Sequence, residues 1–220
     1  MLDSARIRMA QVLVVCTGNI CRSPMAEGFL RELLHDRLEA AADDGDVEPI
    51  EVSSAGTSGW DGSRATGEAI EAAADRDADI RDHRARRLAA HHLEQADLVL
   101  AMTTEHRDAA ERLVPTAAPR TFTAKELVQL LDALPPPGPG DPATAADLLR
   151  SRVARADALR IDGFQGNRFD LDVVDPIGLS MDTYRAVAWE LDKLCTQLVD
   201  GLLGKATAPS GLTAMWKDGE

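Results

Sequence analysis

Eight residues near the N-terminus combine a nucleophile with the pattern of an anion-binding loop: they begin at Cys16 and end with Arg22 and Ser23. The five residues between Cys16 and Arg22 can wrap their N–H groups around a tetrahedral oxyanion. The planar guanidinium of Arg22 can hold two oxygens of that anion at once. The spacing therefore predicts a phosphate-binding loop with Cys16 in line to attack phosphorus. The residues expected to contact the phosphate are Thr17, Gly18, Asn19, Ile20, Cys21, Arg22 and Ser23.

The flanks of this loop predict a strand before it and a helix after it. Residues 11–15 form a short apolar run of the kind buried in a parallel sheet. Pro24 stands where a helix can begin, and apolar residues then recur at helical spacing up to Leu38. A helix N-terminus attracts anions, so its position behind the loop favours phosphate binding and the thiolate form of Cys16.

A phosphatase that uses a cysteine also needs a proton donor for the leaving oxygen, and Asp175 before Pro176 is the candidate. Proline restrains the residue that precedes it, so it can hold an aspartate at a defined angle on a loop. Asp175 must carry its proton while Cys16 is ionised. A second pair, Asp141 and Pro142, lies in a proline-rich segment and is the poorer candidate.

The composition limits the classes of function. The chain has 220 residues, 45% of them hydrophobic, and a formal net charge of −13, which suits one domain and argues against a nucleic-acid partner. Its three cysteines, Cys16, Cys21 and Cys195, fit a reducing compartment. No run is long enough to insert into a membrane and no signal peptide is visible. We therefore expect a cytoplasmic protein.

Strands alternate with helices along the chain, which predicts an α/β fold with a doubly wound parallel sheet covered by helices on both faces. The strands are expected near residues 12–15, 50–54 and 98–102. We expect a single domain over residues 10–204, with a proline-rich and then helical insertion at about 135–169. Residues 1–9 and 205–220 are expected to be flexible tails. The predicted helices cover residues 24–38, 67–77, 89–95, 104–113, 123–134, 143–159 and 181–203.

Residues 15–27 resemble the signature of the low-molecular-weight protein tyrosine phosphatases. Residues 53–57, 96–102 and 175–178 match later blocks of that family in the same order. The resemblance covers roughly residues 10–134 and 170–203. It implies a flavodoxin-like fold with a four-stranded parallel sheet, and a two-step mechanism with no metal and no cofactor. The expected substrate is a phosphorylated protein or a small aryl phosphate.

The resemblance also implies a role for particular residues. Cys16 would form a phosphocysteine, Arg22 would stabilise the transition state, and Asp175 would act as acid and then as base. Asn19 would brace the loop, and Ser23 would donate a hydrogen bond to the thiolate. The remaining expectations are support from Ser54 and His83, an aromatic wall from Trp60, and a reversible disulfide between Cys16 and Cys21.

The chain departs from the family pattern beside the expected substrate pocket. Ile177 follows the Asp-Pro pair, where many members have an aromatic residue. Bacterial relatives that hydrolyse phosphoarginine carry threonine at the position of Ile20, and an apolar branched side chain there should favour an aryl phosphate. This interpretation favours phosphotyrosine and keeps protein arginine phosphatase as the alternative.

Two further alternatives are disfavoured by particular residues. The related arsenate reductases need two more cysteines near the middle of the chain, whereas Cys195 lies in the final predicted helix. A module that binds phosphorylated partners without turnover would have lost its nucleophile or its acid, yet Cys16, Arg22 and Asp175 are all present.

Overall fold

A computed structural model describes residues 9–41, 50–164, 166–167 and 169–205. In this part of the chain four strands form one parallel sheet in the order β2-β1-β3-β4. The architecture is the predicted flavodoxin-like, doubly wound α/β fold. The strands are β1 (Gln11–Cys16), β2 (Glu51–Gly56), β3 (Leu98–Ala101) and β4 (Thr121–Thr123).

Helices cover both faces of the sheet. A short 3-10 helix at Pro115–Arg120 precedes β4. The α-helices are α1 (Arg22–Ala41), α2 (Gly67–Ala74), α3 (Ala90–Gln95), α4 (Thr104–Leu113), α5 (Ala124–Ala133), α6 (Ala145–Ile161) and α7 (Met181–Leu203).

The alternation of side chains along β1 creates two hydrophobic cores, one on each face of the sheet. Val12 and Val14 belong to the larger core, which contains the buried sides of α1, α5 and α7. Leu13 and Val15 belong to the smaller core, beside α3 and α4. Because β1 is central and buried on both faces, its carboxyl end, where Cys16 lies, is firmly held.

The observed elements differ from the predicted ones at a few boundaries. Helix α1 begins two residues before Pro24, so that Arg22 is its first residue. Helix α2 ends at Ala74 and not at residue 77, and Asp77 adopts a positive φ of 62°. Strand β4 did not stand out in the sequence, because it contains only three residues.

The segment from 135 to 169 contains α6, which packs against α5 and α7. Arg152 of α6 is buried and donates hydrogen bonds to the carbonyl oxygens of Gly201 at 2.9 Å and Pro135 at 2.6 Å. The first contact joins the segment to the end of α7, and the second joins α6 to the start of the segment. The tails predicted at 1–9 and 205–220 lie outside the described residues except for Met9 and Lys205.

None of the helices in the described ranges has the length and apolar character that crossing a membrane requires.

Candidate active site

The loop at residues 16–21 connects β1 to α1, and its backbone carbonyl groups point away from its centre. Each of the six carbonyls accepts a hydrogen bond from a group outside the loop. Because the carbonyl groups point outward to these partners, the N–H groups are left to face inward. The N–H of Asn19 points at Cys16 Sγ at 3.3 Å. The loop is therefore shaped as an anion-binding nest before any anion arrives. The donors, in the order of the carbonyls from Cys16 to Cys21, are the backbone N–H groups of Thr57, Ser58 and Trp60, the side chain of His83, and the backbone N–H groups of Thr66 and Met25.

Gly56, the last residue of β2, allows this close approach. A Cβ atom at Gly56 would lie 2.6 Å from the carbonyl oxygen of Thr17 and 2.9 Å from the carbonyl carbon of Gly18. Both of these atoms are backbone, so they cannot move aside cheaply. Glycine is therefore required here if residues 57–60 are to hydrogen bond to the loop.

Cys16 lies at the floor of the nest with its side chain buried. Its Sγ is 2.9 Å from Ser23 Oγ. A hydroxyl that donates to sulfur stabilises the thiolate, both before attack on phosphorus and when sulfur later leaves it.

Asn19 holds the loop from inside. It is fully buried and adopts φ 57°, a left-handed conformation that asparagine tolerates better than most residues. Its side-chain amide donates to Ser23 Oγ at 2.9 Å and to Ser54 Oγ at 2.7 Å, and its Oδ1 accepts from the N–H of Arg86 at 2.9 Å. Support of the loop by Asn19 and Ser54 was expected from the sequence, whereas the hydrogen bond from Arg86 was not.

His83 and Glu27 support the same network from behind the loop. His83 Nε2 lies 2.8 Å from the carbonyl oxygen of Asn19, and its Nδ1 lies 3.8 Å from Glu27 Oε2. Ser54 Oγ donates to the same Glu27 oxygen at 2.5 Å. Burial lowers the pKa of His83, with the hydrogen bond to Asn19 and the charge of Glu27 acting in the opposite direction. A proton on Nε2 is required for the hydrogen bond to the carbonyl oxygen of Asn19.

Arg22 is nine-tenths buried or more, with only 4% of its side chain exposed. Its Nη1 donates to the carbonyl oxygen of Val173 at 3.0 Å, and its Nη2 donates to Thr17 Oγ1 at 3.3 Å and to Asp175 Oδ2 at 2.5 Å. Its Nε is buried and has no hydrogen-bond partner among the described residues. A buried donor without an acceptor is costly, so this N–H is available for an oxygen of a bound anion.

Asp175 is placed beside Arg22 by the loop that precedes α7. The N–H of Val173 donates to the carbonyl oxygen of Met102 at 2.8 Å, which attaches this loop to the end of β3. The second carboxylate oxygen of Asp175 accepts from the N–H of Ile177 at 3.2 Å. The carboxylate is 41% exposed, so it can reach solvent and the mouth of the nest.

His106, in the first turn of α4, is a site residue that the sequence analysis missed. Its Nε2 lies 2.8 Å from Thr17 Oγ1, and its Nδ1 lies 2.8 Å from Thr103 Oγ1. Burial and the positive charge of Arg22 lower the pKa of His106 to about 4. One signal could have found it: β3 is the parallel neighbour of β1, so residues just after β3 must lie near residues just after β1.

The three residues expected to line a substrate pocket have different exposures. Trp60 and Ile177 are 56% and 46% exposed. Ile20 is buried, and a Cβ on Gly18 would lie 3.3 Å from its Cγ1. The side chain of Ile20 therefore packs close to Gly18 of the loop, whereas the side chains of Trp60 and Ile177 extend into solvent.

Cys21 is buried near α7. Its Sγ is 3.5 Å from Tyr184 Oη and 3.6 Å from Thr66 Oγ1, and burial raises its pKa. All three cysteines are free thiols, and Cys195 is buried in α7 near the carbonyl of Ala26. The reversible Cys16–Cys21 disulfide stays a prediction. In the described ranges no three histidine, cysteine or acidic side chains converge on a point where they could hold a metal ion.

Comparison with known proteins identifies the family to which the phosphate loop belongs. The model of the low molecular weight phosphotyrosine protein phosphatases matches residues 11–134, which is more than half of the chain. The chain belongs to this family. Members of the low molecular weight phosphotyrosine protein phosphatase family are hydrolases, so the chain is an enzyme of that class.

Individual relatives divide between two named activities. A protein-arginine-phosphatase from Geobacillus stearothermophilus is 29% identical over 200 residues, which cover 87% of this chain and 95% of the relative. A low molecular weight protein-tyrosine-phosphatase from Streptomyces coelicolor is 39% identical over 107 residues, which cover 48% of this chain and 60% of the relative. The structure of a low molecular weight protein tyrosine phosphatase from T. tengcongensis matches with a TM-score of 0.61 at 32% identity, covering 88% of this chain and 99% of that one.

Proposed function

We propose that this enzyme hydrolyses phosphotyrosine in proteins through a phosphocysteine at Cys16. The observation that carries the proposal is the buried guanidinium of Arg22, whose Nε has no hydrogen-bond partner in the described part of the chain and which lies beside a loop whose carbonyl groups all point outward. A buried cationic donor and a ring of inward N–H groups together are complementary to a phosphoryl dianion.

The first chemical step transfers the phosphoryl group to Cys16. The thiolate attacks phosphorus, the bond between phosphorus and the phenolic oxygen breaks, and Asp175 gives its proton to that oxygen. The phosphate takes the place of Asp175 on Arg22 Nη2, and the released carboxylate takes up a proton from solvent, which it then gives to the leaving oxygen. The exposure of Asp175 supports this movement.

The second step hydrolyses the phosphocysteine. The carboxylate of Asp175 accepts a proton from water as that water attacks phosphorus, and the Cys16 thiolate leaves. The hydroxyl of Ser23, 2.9 Å from Cys16 Sγ, supports this step because it stabilises the negative sulfur. Arg22 and the loop N–H groups hold the equatorial oxygens in both steps.

The preference for an aryl phosphate rests on the apolar surroundings of the site. The exposed side chains of Trp60 and Ile177 can cover the faces of a phenyl ring. The buried branched side chain of Ile20 offers no hydrogen-bond partner to a guanidinium phosphate. We propose that the enzyme acts in the cytoplasm, in keeping with its three free thiols.

Protein arginine phosphatase is the second candidate, and one observation favours it. The arginine phosphatase from Geobacillus stearothermophilus aligns over 87% of this chain, whereas the tyrosine phosphatase from Streptomyces coelicolor aligns over 48%. The sequence similarity to the first protein therefore extends beyond residue 134, where the match to the family model ends. The tyrosine phosphatase structure from T. tengcongensis also covers 88% of this chain, so phosphotyrosine stays the first candidate.

Phosphate release from two peptides of one sequence, one with phosphotyrosine and one with phosphoarginine, distinguishes the candidates. We expect the wild-type enzyme to release phosphate faster from phosphotyrosine and Cys16→Ser to release none. Ile20→Thr should release phosphate from phosphoarginine faster than the wild type does. Faster release of phosphoarginine by the wild-type enzyme would replace the first candidate by the second. Release by Cys16→Ser at the wild-type rate would contradict both.

A further inference from the structure

His106 has no part in the two chemical steps, although its ring lies between the phosphate loop and α4. It is buried, and each of its ring nitrogens lies 2.8 Å from a threonine hydroxyl, Thr17 on one side and Thr103 on the other. Thr17 Oγ1 also accepts from Arg22 Nη2 at 3.3 Å. The contacts thus form one continuous path from Thr103 through His106 and Thr17 to the arginine that must hold the phosphoryl group.

The far end of this path is rigid. Thr103 is the N-cap of α4 and accepts a hydrogen bond from the N–H of His106 at 3.3 Å. It follows directly after Met102, whose N–H bonds to the carbonyl of Val15 in the central strand at 2.9 Å. The ring of His106 is therefore fixed by a helix end and a strand end, both of which border the site.

The near end of the path needs such support. Thr17 is exposed, so its hydroxyl could otherwise rotate among its rotamers. In the proposed mechanism the substrate displaces Asp175 from Arg22. The protein contacts that then remain on the guanidinium are the carbonyl oxygen of Val173 at 3.0 Å and the hydroxyl of Thr17. The hydroxyl keeps a defined position because His106 holds it.

We propose that His106 is a positioning residue, which fixes the hydroxyl of Thr17 and thereby orients the guanidinium of Arg22 toward the phosphoryl group. This inference rests on the proposed function of the site. The neutral ring suits the role because it adds no second positive charge beside Arg22. Its low pKa, caused by burial and by Arg22, keeps it neutral through the physiological range.

The test is a double-mutant cycle of Thr17→Val and His106→Leu, measured by kcat and KM on a phosphotyrosine peptide. Each single variant should lower kcat about tenfold, as expected for loss of one hydrogen bond to a charged group, and change KM less than about twofold. Because both variants break the same path, the double variant should be no slower than the slower single one. His106→Gln, which can still reach Thr17, should recover most of the lost kcat.

Inhibition by two oxyanions separates positioning from simple structural support. Vanadate imitates the five-coordinate transition state, and inorganic phosphate imitates the ground state. His106→Leu should therefore raise the inhibition constant of vanadate about tenfold and that of phosphate much less. His92→Leu is the matched control, since the ring of His92 also makes a hydrogen bond near the start of a helix, accepting from the backbone N–H of Ala89 at 3.2 Å, but in α3. It should lower the melting temperature and leave kcat and both inhibition constants unchanged.

Three results would each overturn the proposal: a kcat of the double variant about a hundredfold below the wild type, an effect confined to KM, or an equal rise of the inhibition constants of vanadate and phosphate. If His106→Leu does not fold, Thr17→Val, which breaks the same path, supplies the comparison of vanadate with phosphate, and His106→Gln should resemble the wild type in both. Calorimetric binding of vanadate and phosphate needs no turnover. Should the wild-type enzyme release no phosphate from the peptide, the proposed function fails, while the binding ratio still decides the role of His106.

Discussion

Replacing Asn19 with alanine should disable the phosphate loop and lower the stability of the whole domain. Asn19 makes three buried side-chain hydrogen bonds, to Ser23, to Ser54 and from Arg86, at 2.9, 2.7 and 2.9 Å. It also holds φ 57°, which alanine adopts reluctantly. The substitution therefore removes the contacts and introduces backbone strain at one position.

The size of the effect follows from these contacts. Each lost hydrogen bond contributes about 1 kcal/mol, and the left-handed conformation costs alanine about 1 kcal/mol more. The hydroxyls of Ser23 and Ser54 keep other partners, Cys16 and Glu27, whereas the N–H of Arg86 loses its acceptor. We expect Asn19→Ala to lower the free energy of unfolding by about 3 to 4 kcal/mol.

Urea denaturation measures this loss, and Asp77→Ala is the matched control. Asp77 also has a positive φ, 62°, but its side chain is exposed. It should therefore lose only about 1 kcal/mol, the cost of the conformation, with kcat/KM unchanged. Asn19→Ala should in addition lower kcat/KM by at least about tenfold, because the left-handed conformation that asparagine holds aims the backbone N–H of residue 19 at Cys16 Sγ, and alanine adopts that conformation reluctantly.

Equal destabilisation by Asn19→Ala and Asp77→Ala would refute the reasoning, since it would mean that the three hydrogen bonds contribute nothing net. A large loss of stability with unchanged kcat/KM would refute the expected effect of Asn19 on catalysis. In that case the loop would keep its shape without the asparagine.

Three further predictions concern the Cys16 thiolate, the proposed acid Asp175 and the buried His106, in that order. Ser23→Ala should slow hydrolysis of the phosphocysteine about 10- to 100-fold, because Cys16 becomes a poorer leaving group, and a stopped-flow burst of tyrosine should appear; a single phase with no burst would contradict this. Asp175→Asn should lower kcat about 100- to 1000-fold on phosphotyrosine but far less on an ester of an acidic phenol, and equal losses on the two would argue against Asp175 as the acid. The pKa of His106 is about 4 in the folded protein and about 6.5 in an unfolded chain, so the unfolded chain takes up this proton first as the pH falls. The contribution of His106 to the free energy of unfolding is therefore complete above about pH 6.5 and falls by up to about 3 kcal/mol toward pH 4. Urea denaturation across that range should show a free energy of unfolding that depends less steeply on pH in His106→Leu than in the wild type.

The elements around the catalytic loop could be predicted from sequence because their signals are local. The buried strand before Cys16 is a continuous apolar run, and the helix after it repeats its apolar residues every three or four positions. Strand β4 has three residues, Thr121–Thr123, two of which are threonines. No periodicity can be read from so short a run, and its place in the sheet is set by pairing with β3.

The site could be predicted only where its residues lie within a motif. Cys16, Arg22 and Ser23 follow one another along the loop, so their spacing carries the chemistry. His106 and Arg86 reach the loop from positions 64 or more residues away from Arg22 in sequence, through strand pairing and loop packing. Their side-chain partners, Thr17 and Asn19, are apparent only once the sheet brings the segments together.

The resting contact between Arg22 and Asp175 explains how an acidic chain can keep a buried cation ready for a phosphate dianion. The formal net charge of −13 would repel such a ligand at a distance, so attraction must be local. A guanidinium that is 4% exposed needs a counter-charge, and Asp175 supplies it at 2.5 Å until substrate arrives. In the mechanism that we propose, the phosphoryl group takes over that position, and the released carboxylate takes up the proton that it later gives to the leaving oxygen. The proposal thus couples binding and acid catalysis through one ion pair, since the exchange that satisfies Arg22 also frees Asp175 to become the acid.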